Sequence, residues 1–234
     1  MKYLFIISFL FPTVLFSQDF SFNYSKDFNP ILEKTKTKGD SLFYPIQLER
    51  FIKNDSTLTD FEVLALLIGH TADSNYHPYS DIDVERKIYS LNSSRNFKEA
   101  MNIGRNFLSK HPLNQMTNIE MSYSYYKLNK PDSSKLYTYR YTRIMNAMAR
   151  SGKGTTSDSS LFSLTPIDGQ NFCRKYLGFK IGTMGSGSDS NGNFLDILSV
   201  YSKDSENKKE KPLYFNIQHA MKEMQSQIKN AIKK

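Results

Sequence analysis

A glycine-rich segment is the first place in the sequence where residue types and spacing could bind a phosphate. It reads Ser151-Gly152-Lys153-Gly154-Thr155-Thr156. A nucleotide-binding phosphate loop needs a glycine, four further residues and then Gly-Lys-Ser or Gly-Lys-Thr, between a strand and a helix. That order is absent here, and a helix is predicted before the segment, so we do not expect nucleotide binding. Two interpretations stay open for Ser151, Gly152 and Gly154: a backbone nest for a small anion, or a helix end that leads into the next region.

The histidines and the cysteine are the other residues that could carry metal or nucleophilic chemistry. The four histidines stand at positions 70, 77, 111 and 219 and form no His-x-x-x-His pair, whereas zinc needs three or four converging ligands. Cys173 is the only cysteine and has Phe172 and Tyr176 as neighbours in a predicted helix, which is typical of a small core residue. No spacing of Asp and Glu marks an acid–base pair. The sequence therefore predicts no catalytic residue, no metal ligand and no cofactor.

An aromatic loop, Tyr76-His77-Pro78-Tyr79-Ser80, is the most suggestive element for binding. Two rings around a proline can form a rigid contact surface for a peptide or a sugar. The alternative is that both rings fill a joint inside the fold. We therefore take Tyr76, Pro78 and Tyr79 as candidate partner-binding residues.

The first residues have the pattern of a cleavable export signal. Lys2 is followed by an almost unbroken hydrophobic run from Leu4 to Phe11. Pro12 breaks the helix, and Thr13–Phe16 leads to Ser17, a small residue at the cleavage position. The run is shorter than the roughly 20 residues that span a bilayer, and no cysteine follows it to carry a lipid. We predict a signal peptide over residues 1–17 and an exported protein, periplasmic rather than extracellular or at the cell surface. No integral membrane segment is expected after cleavage.

Composition narrows the class of protein further. With one cysteine no intrachain disulfide is possible, so the fold must depend on an ordinary hydrophobic core. The net charge is +8, but the basic residues are scattered among acidic ones. We read this as a solvated basic surface and expect no nucleic-acid binding.

Helical periodicity dominates the region from residue 41 to residue 150. Thr59 and Glu62 have the spacing of a capping box at a helix start. Apolar residues recur at helical spacing from Phe97 to Leu108, and a face with Ile119, Tyr123 and Tyr126 follows in the next predicted helix. Residues 18–40 lack a sustained period and are predicted to be irregular, with a short helix at most near Pro30.

The pattern changes after residue 150. Short strands are predicted over Leu161–Ile167, Gly178–Met184, Phe194–Tyr201 and Pro212–Ile217, with a helix from Asp168 to Leu177. The segment Gly185–Gly192 is predicted to be a flexible loop. A last helix carries Met221, Met224, Ile228 and Ile232 at helical spacing and is predicted to lay this face on the sheet. The predicted organisation is a helical region over 41–150 and a small α+β domain over 151–234, with a mainly antiparallel sheet.

Part of the helical region, from Ile82 to Arg150, resembles the tetratricopeptide repeat. Ala100 occupies the small-residue position, Pro112 the repeat-ending proline, and Ser134 is again small one period of about 34 residues later. More widely, the order of several short motifs resembles the bacterial family known as domain of unknown function 4919. These motifs include Phe43-Tyr44-Pro45, Tyr76-His77-Pro78-Tyr79, Ser151-Gly152-Lys153-Gly154-Thr155 and Leu213-Tyr214-Phe215-Asn216-Ile217. This resemblance implies architecture and compartment but no chemistry.

Two classes of function remain open at this stage. The first is a non-catalytic module of the envelope that holds a protein or peptide partner, because helical repeats present concave surfaces. The second is a hydrolase or other enzyme that acts on cell-envelope material in a cleft between the two regions. A purely structural envelope protein is a third possibility. The presence or absence of two converging titratable groups at a concave surface separates the first two.

Overall fold

The computed structural model describes residues 22–202 and 210–232. The predicted signal peptide over 1–17 lies outside these residues. The first part of the described chain is helical, with α1 (Tyr24–Lys36), α2 (Tyr44–Ile52), α3 (Asp60–His70), α4 (Asp81–Ser93), α5 (Phe97–Leu108), α6 (Gln115–Lys127) and α7 (Pro131–Arg150).

The second part is a small sheet with helices beside it. Its elements are β1 (Leu161–Phe162), α8 (Asp168–Asn171) with a π-helical turn (Phe172–Tyr176), β2 (Lys180–Ser188), β3 (Phe194–Tyr201), β4 (Lys211–Asn216) and α9 (Gln218–Ile232). The strand order is β1-β4-β3-β2, in which β1 pairs with β4 in parallel and the other pairs are antiparallel. The prediction of an α+β fold with a helical first half and a mainly antiparallel sheet is confirmed.

One hydrophobic core joins the helical part to the sheet. It runs from Phe28 of α1 through the apolar residues of α3 and the second half of α7 to Phe162 and Phe215 of the sheet. Helix α3 lies at its centre, because every residue from Val63 to His70 is buried. The helical and strand-rich regions therefore pack against each other.

The helical hairpins expected from the resemblance to the tetratricopeptide repeat are present. Helices α4 and α5 form one pair and α6 and α7 a second, and α4 also contacts α6 as in successive helical repeats. The turns contain Arg95 and Asn129, which have left-handed φ angles of 62° and 55°. The capping box of α3 is also confirmed: the Thr59 hydroxyl accepts from the Glu62 N–H, and the Glu62 carboxylate accepts from the Thr59 N–H at 2.7 Å.

The prediction of an irregular segment over residues 18–40 is wrong for α1. The Asn23 side chain accepts from the Lys26 N–H and so caps this helix, and Phe28, Ile31 and Thr35 are buried on its inner face. Because the apolar residues that pack on the core are interspersed with charged residues and Pro30 lies within the helix, the periodicity was too weak to reveal it.

Two predictions for the sheet also need correction. Strand β1 covers only Leu161–Phe162 rather than Leu161–Ile167. Its pairing with β4 ends where Phe162 lies opposite Asn216, the last residue of β4. The segment Gly185–Ser188 is not a flexible loop: it continues β2 and pairs with β3. Backbone hydrogen bonds hold a strand in a sheet, and glycine and serine form them as other residues do. The glycine- and serine-rich composition was therefore not a sign of a loop here.

Helix α9 does not lay its whole apolar face on the sheet. Its first turn is anchored, with His219 and Ala220 buried. Farther along, Ile228 and Ile232 are 51% and 79% exposed. The predicted contact is therefore wrong for the second half of the helix. Among the helices within residues 22–202 and 210–232, none has the length and hydrophobicity that a membrane crossing requires.

Candidate functional site

The structure places the aromatic loop mostly inside the fold. Tyr76 is 4% exposed, and its hydroxyl donates a 2.6 Å hydrogen bond to the Leu164 carbonyl just after β1. Pro78 is buried as well, and Tyr79 is half-buried. Tyr76 thus fills the joint between the helical part and the segment after β1, and the burial of Tyr76 and Pro78 leaves little of this loop for a partner.

The glycine-rich segment also makes internal contacts. The Ser151 hydroxyl donates to the Met148 carbonyl and accepts from the Phe162 N–H, both at 2.7 Å. The N–H of Gly154 donates to the Ser159 carbonyl, and that of Lys153 donates to the Ser159 hydroxyl. Because these two N–H groups are used inside the protein, neither is available to hold an anion.

Gly152 and Gly154 have steric reasons for being glycine. A Cβ atom on Gly152 would lie 2.5 Å from the Ser160 carbonyl oxygen, which is too close for any side chain. Gly154 has a φ of +69°, in the left-handed region. The Ser151 segment and the Tyr76 loop therefore both form hydrogen bonds with the chain at β1. Ser151 accepts from the Phe162 N–H, and Tyr76 donates to the Leu164 carbonyl.

A closed polar cluster lies next to Tyr76. His70, Asp81, His111, Asn114 and Asp168 surround a cavity of about 10 Å³, which is room for about one water molecule. His111 Nδ1 lies 3.1 Å from Asp81 Oδ2, and His70 Nδ1 lies 2.8 Å from the Tyr44 hydroxyl. A substrate cannot enter a cavity of this size, so we treat the cluster as structural.

Burial controls the charge state of this interior. It lowers the pKa of His70 to about 4 and that of His219 to about 3, so both imidazoles are neutral at pH 7. It raises the pKa of Asp168 to about 6 and that of Glu85 to about 8. Burial also raises the pKa of the Cys173 thiol to about 12, which agrees with the predicted core cysteine and not with a nucleophile.

An open groove beside α6 is the best candidate for a functional site. It has a volume of about 480 Å³ and lies between α4, α6, the start of α7 and the π-helical turn. The residues that line it are Tyr89, Asn92, Ser93, Ile119, Glu120, Ser122, Tyr123, Tyr126, Ser134 and Lys175. An adjoining depression of about 340 Å³ extends it towards the α4–α5 turn and adds Arg95, Phe97 and Lys127. We call the two together the tyrosine groove.

A fixed polar centre forms the floor of the tyrosine groove. Glu120 Oε1 accepts from the Lys175 ammonium at 2.6 Å, and Glu120 Oε2 accepts from the Asn92 amide at 2.8 Å. The Asn92 carbonyl oxygen in turn accepts from the Ser124 hydroxyl at 2.7 Å. Because each member holds the next, this floor is preorganised.

Exposed aromatic rings form the walls of the tyrosine groove. Tyr89, Tyr123 and Tyr126 are 53%, 43% and 66% exposed. The Lys127 ammonium lies 5.4 Å from the Tyr123 ring centre and 5.7 Å from that of Tyr126. The Lys175 ammonium lies 5.6 Å from the Tyr89 ring centre. Rings beside cations provide both contact area and charge for a ligand.

The sequence-predicted site residues lie elsewhere, and the tyrosine groove was not predicted. Ile119, Tyr123 and Tyr126 do share one face of α6, as expected, and this face lines the tyrosine groove. The buried face instead contains Met121 and Tyr125, which pack with Leu108 of α5. Three tyrosines at surface positions of paired helices were the available signal.

Helices and a small mixed sheet that share one core, with an open groove between α4, α6 and the π-helical turn, define an α+β protein. Within the described residues, no group of three or more His, Cys, Asp or Glu side chains is placed to hold a metal ion. The chain belongs to the family described as "domain of unknown function (DUF4919)", whose model matches residues 29–226. No curated protein and no solved structure matches the chain.

Proposed function

We propose that this protein is a non-catalytic module of the bacterial envelope that binds an extended peptide segment of a partner in the tyrosine groove. One observation supports this most directly: three large rings stand exposed along a single open groove of paired helices. Monomeric proteins rarely leave contiguous aromatic surface uncovered unless it has a binding role. Tyrosine is also enriched among the residues that contribute most to binding.

The polar floor favours binding over catalysis. Glu120 and Lys175 are the only acid–base pair among the described residues that line the tyrosine groove. Glu120 is 6% exposed, and its two carboxylate oxygens accept hydrogen bonds from Lys175 and Asn92. A general acid or base acts on a substrate within hydrogen-bond reach, and this carboxylate is instead directed at neighbouring side chains. The envelope hydrolase is therefore the second candidate, and the Glu120–Lys175 pair is the observation that keeps it open.

A selection experiment tests the binding proposal. A random peptide library is selected on the wild-type protein, and the affinities of the enriched peptides are measured on Tyr123→Ser/Tyr126→Ser. We expect a loss of about tenfold or more, because exposed aromatic rings supply most of the contact area. The thermal midpoint should change by much less than for a core truncation, since neither ring is buried in the hydrophobic core.

The matched control removes two exposed apolar side chains that do not line the tyrosine groove. Ile228→Ser/Ile232→Ser should leave the affinities unchanged. If no peptide is enriched, or if the two double variants reduce affinity equally, the peptide-binding proposal is wrong. Turnover of peptidoglycan fragments that disappears in Glu120→Gln would support the hydrolase instead.

Export is a separate part of the proposal and rests on residues 1–17 of the sequence. When the full chain is produced in a Gram-negative host, we expect the mature protein in the periplasmic fraction, with an N-terminus at or near Gln18. Lys2→Glu/Ile6→Asp, which disrupts the basic start and the hydrophobic run, should keep the precursor in the cytoplasm. An intact N-terminus in wild-type protein would contradict export.

A further inference from the structure

The charged side chains of the tyrosine groove are unbalanced. Three cations, Arg95, Lys127 and Lys175, line it together with one acid, Glu120. Lys175 and Glu120 form an ion pair at 2.6 Å and neutralise each other. Arg95 and Lys127 form no ion pair with the residues that the structure describes. The remaining charge of the tyrosine groove is therefore positive.

The backbone positions Arg95 at the end of the tyrosine groove. Arg95 lies in the α4–α5 turn with a φ of 62°, and its N–H donates to the Asn92 carbonyl at 3.1 Å. The next residue, Asn96, donates to the Leu91 carbonyl at 2.8 Å and closes the same turn. The base of the Arg95 side chain is therefore held in place, while the side chain itself is exposed.

The hydrogen-bonding groups left free in the tyrosine groove are mainly donors. The acceptors on its floor are already used: Glu120 as described above, and the Asn92 carbonyl oxygen by Ser124. The Ser122 hydroxyl is engaged with Thr138 at 2.6 Å. By contrast, the hydroxyls of Tyr89, Tyr123 and Tyr126 make no hydrogen bond with the described residues. The cationic nitrogens are donors only and the phenols can donate as well as accept, so the free groups favour a ligand that is rich in acceptors.

We infer that the occupant of the tyrosine groove is an acidic peptide segment, bound in extended form with its carboxylates at Arg95 and Lys127. This inference rests on the proposed function and adds the chemistry of the partner. Peptide carbonyls supply acceptors for the tyrosine hydroxyls, and Asp or Glu side chains supply the anions. Between the carboxylates, apolar side chains pack on the exposed rings of Tyr123 and Tyr126.

Three labelled peptides of repeated triplets test the charge directly. The first repeats Glu-Leu-Ser, the second Gln-Leu-Ser and the third Lys-Leu-Ser, and each is titrated into the purified protein with fluorescence anisotropy as the readout. We expect the glutamate peptide to bind about tenfold or more tighter than the glutamine peptide. The lysine peptide should bind most weakly, and added salt should reduce the advantage of the glutamate peptide.

A charge-matched pair of variants separates a local site from general attraction to a basic protein. Arg95→Glu/Lys127→Glu should remove the preference for the glutamate peptide. Lys26→Glu/Lys229→Glu changes the net charge equally at exposed positions outside the tyrosine groove and should retain it. Equal losses in both variants would overturn the inference.

The outcomes also separate this inference from the proposed function. If library peptides depend on Tyr123 and Tyr126 but are neutral or basic, the acidic partner is wrong and peptide binding stands. If a single-stranded oligonucleotide or a sulfated glycan displaces the glutamate peptide and binds more tightly, the occupant is a different polyanion and the inference fails.

Discussion

Phe162→Ala is expected to lower the free energy of unfolding by about 3–5 kcal/mol and to do so in one cooperative transition. Phe162 is fully buried in β1. Its ring centre lies 6.3 Å from that of Phe22, 6.4 Å from that of Phe28 in α1 and 4.7 Å from that of His219 in α9. Truncation therefore opens a cavity where the N-terminal and C-terminal helices meet the sheet.

The reason for a large effect is that domains are stable by only about 5–15 kcal/mol. Urea unfolding, followed by far-ultraviolet circular dichroism for the helices and by tyrosine absorbance for tertiary packing, provides the measurement. Ile46→Ala is the control: Ile46 is 53% exposed, and its truncation should cost less than about 0.5 kcal/mol. Two separate transitions, with only one shifted in Phe162→Ala, would show that the sheet and the helical part do not share a core.

Glu85→Gln is expected to gain about 2 kcal/mol of stability relative to wild type as pH rises from about 6 to about 8.5. Glu85 is 2% exposed. Its Oε1 accepts from the Asn114 amide at 2.5 Å, but its Oε2 is buried without a partner among the described residues. Glutamine keeps the shape and the hydrogen bond to Asn114 while it removes the charge that must form as pH rises.

The sign follows from the direction of the pKa shift. Burial raises the pKa of Glu85 from 4.5 to about 8, so the folded state holds this proton more tightly than the unfolded state. Its favourable contribution is complete below pH 4.5 and is lost as pH rises towards 8. His70 and His219, whose pKa values are lowered, act in the opposite direction and reduce stability as pH falls below about 6.5.

Urea midpoints of both proteins at about pH 6 and about pH 8.5 isolate the Glu85 contribution, because Asp168 and both histidines are present in wild type and variant and cancel in the difference. Between the two pH values, wild type should lose stability relative to Glu85→Gln. Asp83→Asn lies on the same helix at an exposed position and should behave as wild type. Parallel pH profiles for wild type and Glu85→Gln would show that Glu85 is ionised at little cost.

Those parts of the fold that depend on neighbouring residues in sequence could be predicted. The capping box at Thr59 and the strand-forming residues from Phe194 to Tyr201 are local signals, and both elements lie where expected. Helix α1 and the second half of β2 were missed because tertiary contacts form them. The inner face of α1 is defined by its packing in the core, and Gly185–Ser188 is a strand because β3 pairs with it.

The site was less accessible from the sequence than the fold. Tyr76 and Tyr123 are both tyrosines beside small or polar residues, and nothing local indicates that the first is 4% exposed and the second 43% exposed. What separates them is the position of other elements. The Leu164 carbonyl accepts a hydrogen bond from the Tyr76 hydroxyl, whereas α4 and α7 leave the surface around Tyr123 uncovered. Long-range packing of this kind cannot be recognised from the spacing of residues in the sequence.

Photo-crosslinking tests the central claim, that the tyrosine groove binds a peptide, most directly. A peptide enriched on the wild-type protein is synthesised with a benzophenone group, irradiated in complex and mapped by mass spectrometry. The account predicts crosslinks concentrated in residues 89–97 and 119–127, which largely disappear in Tyr123→Ser/Tyr126→Ser. Crosslinks concentrated on β2 or on the exposed end of α9, and unchanged in that variant, would contradict it.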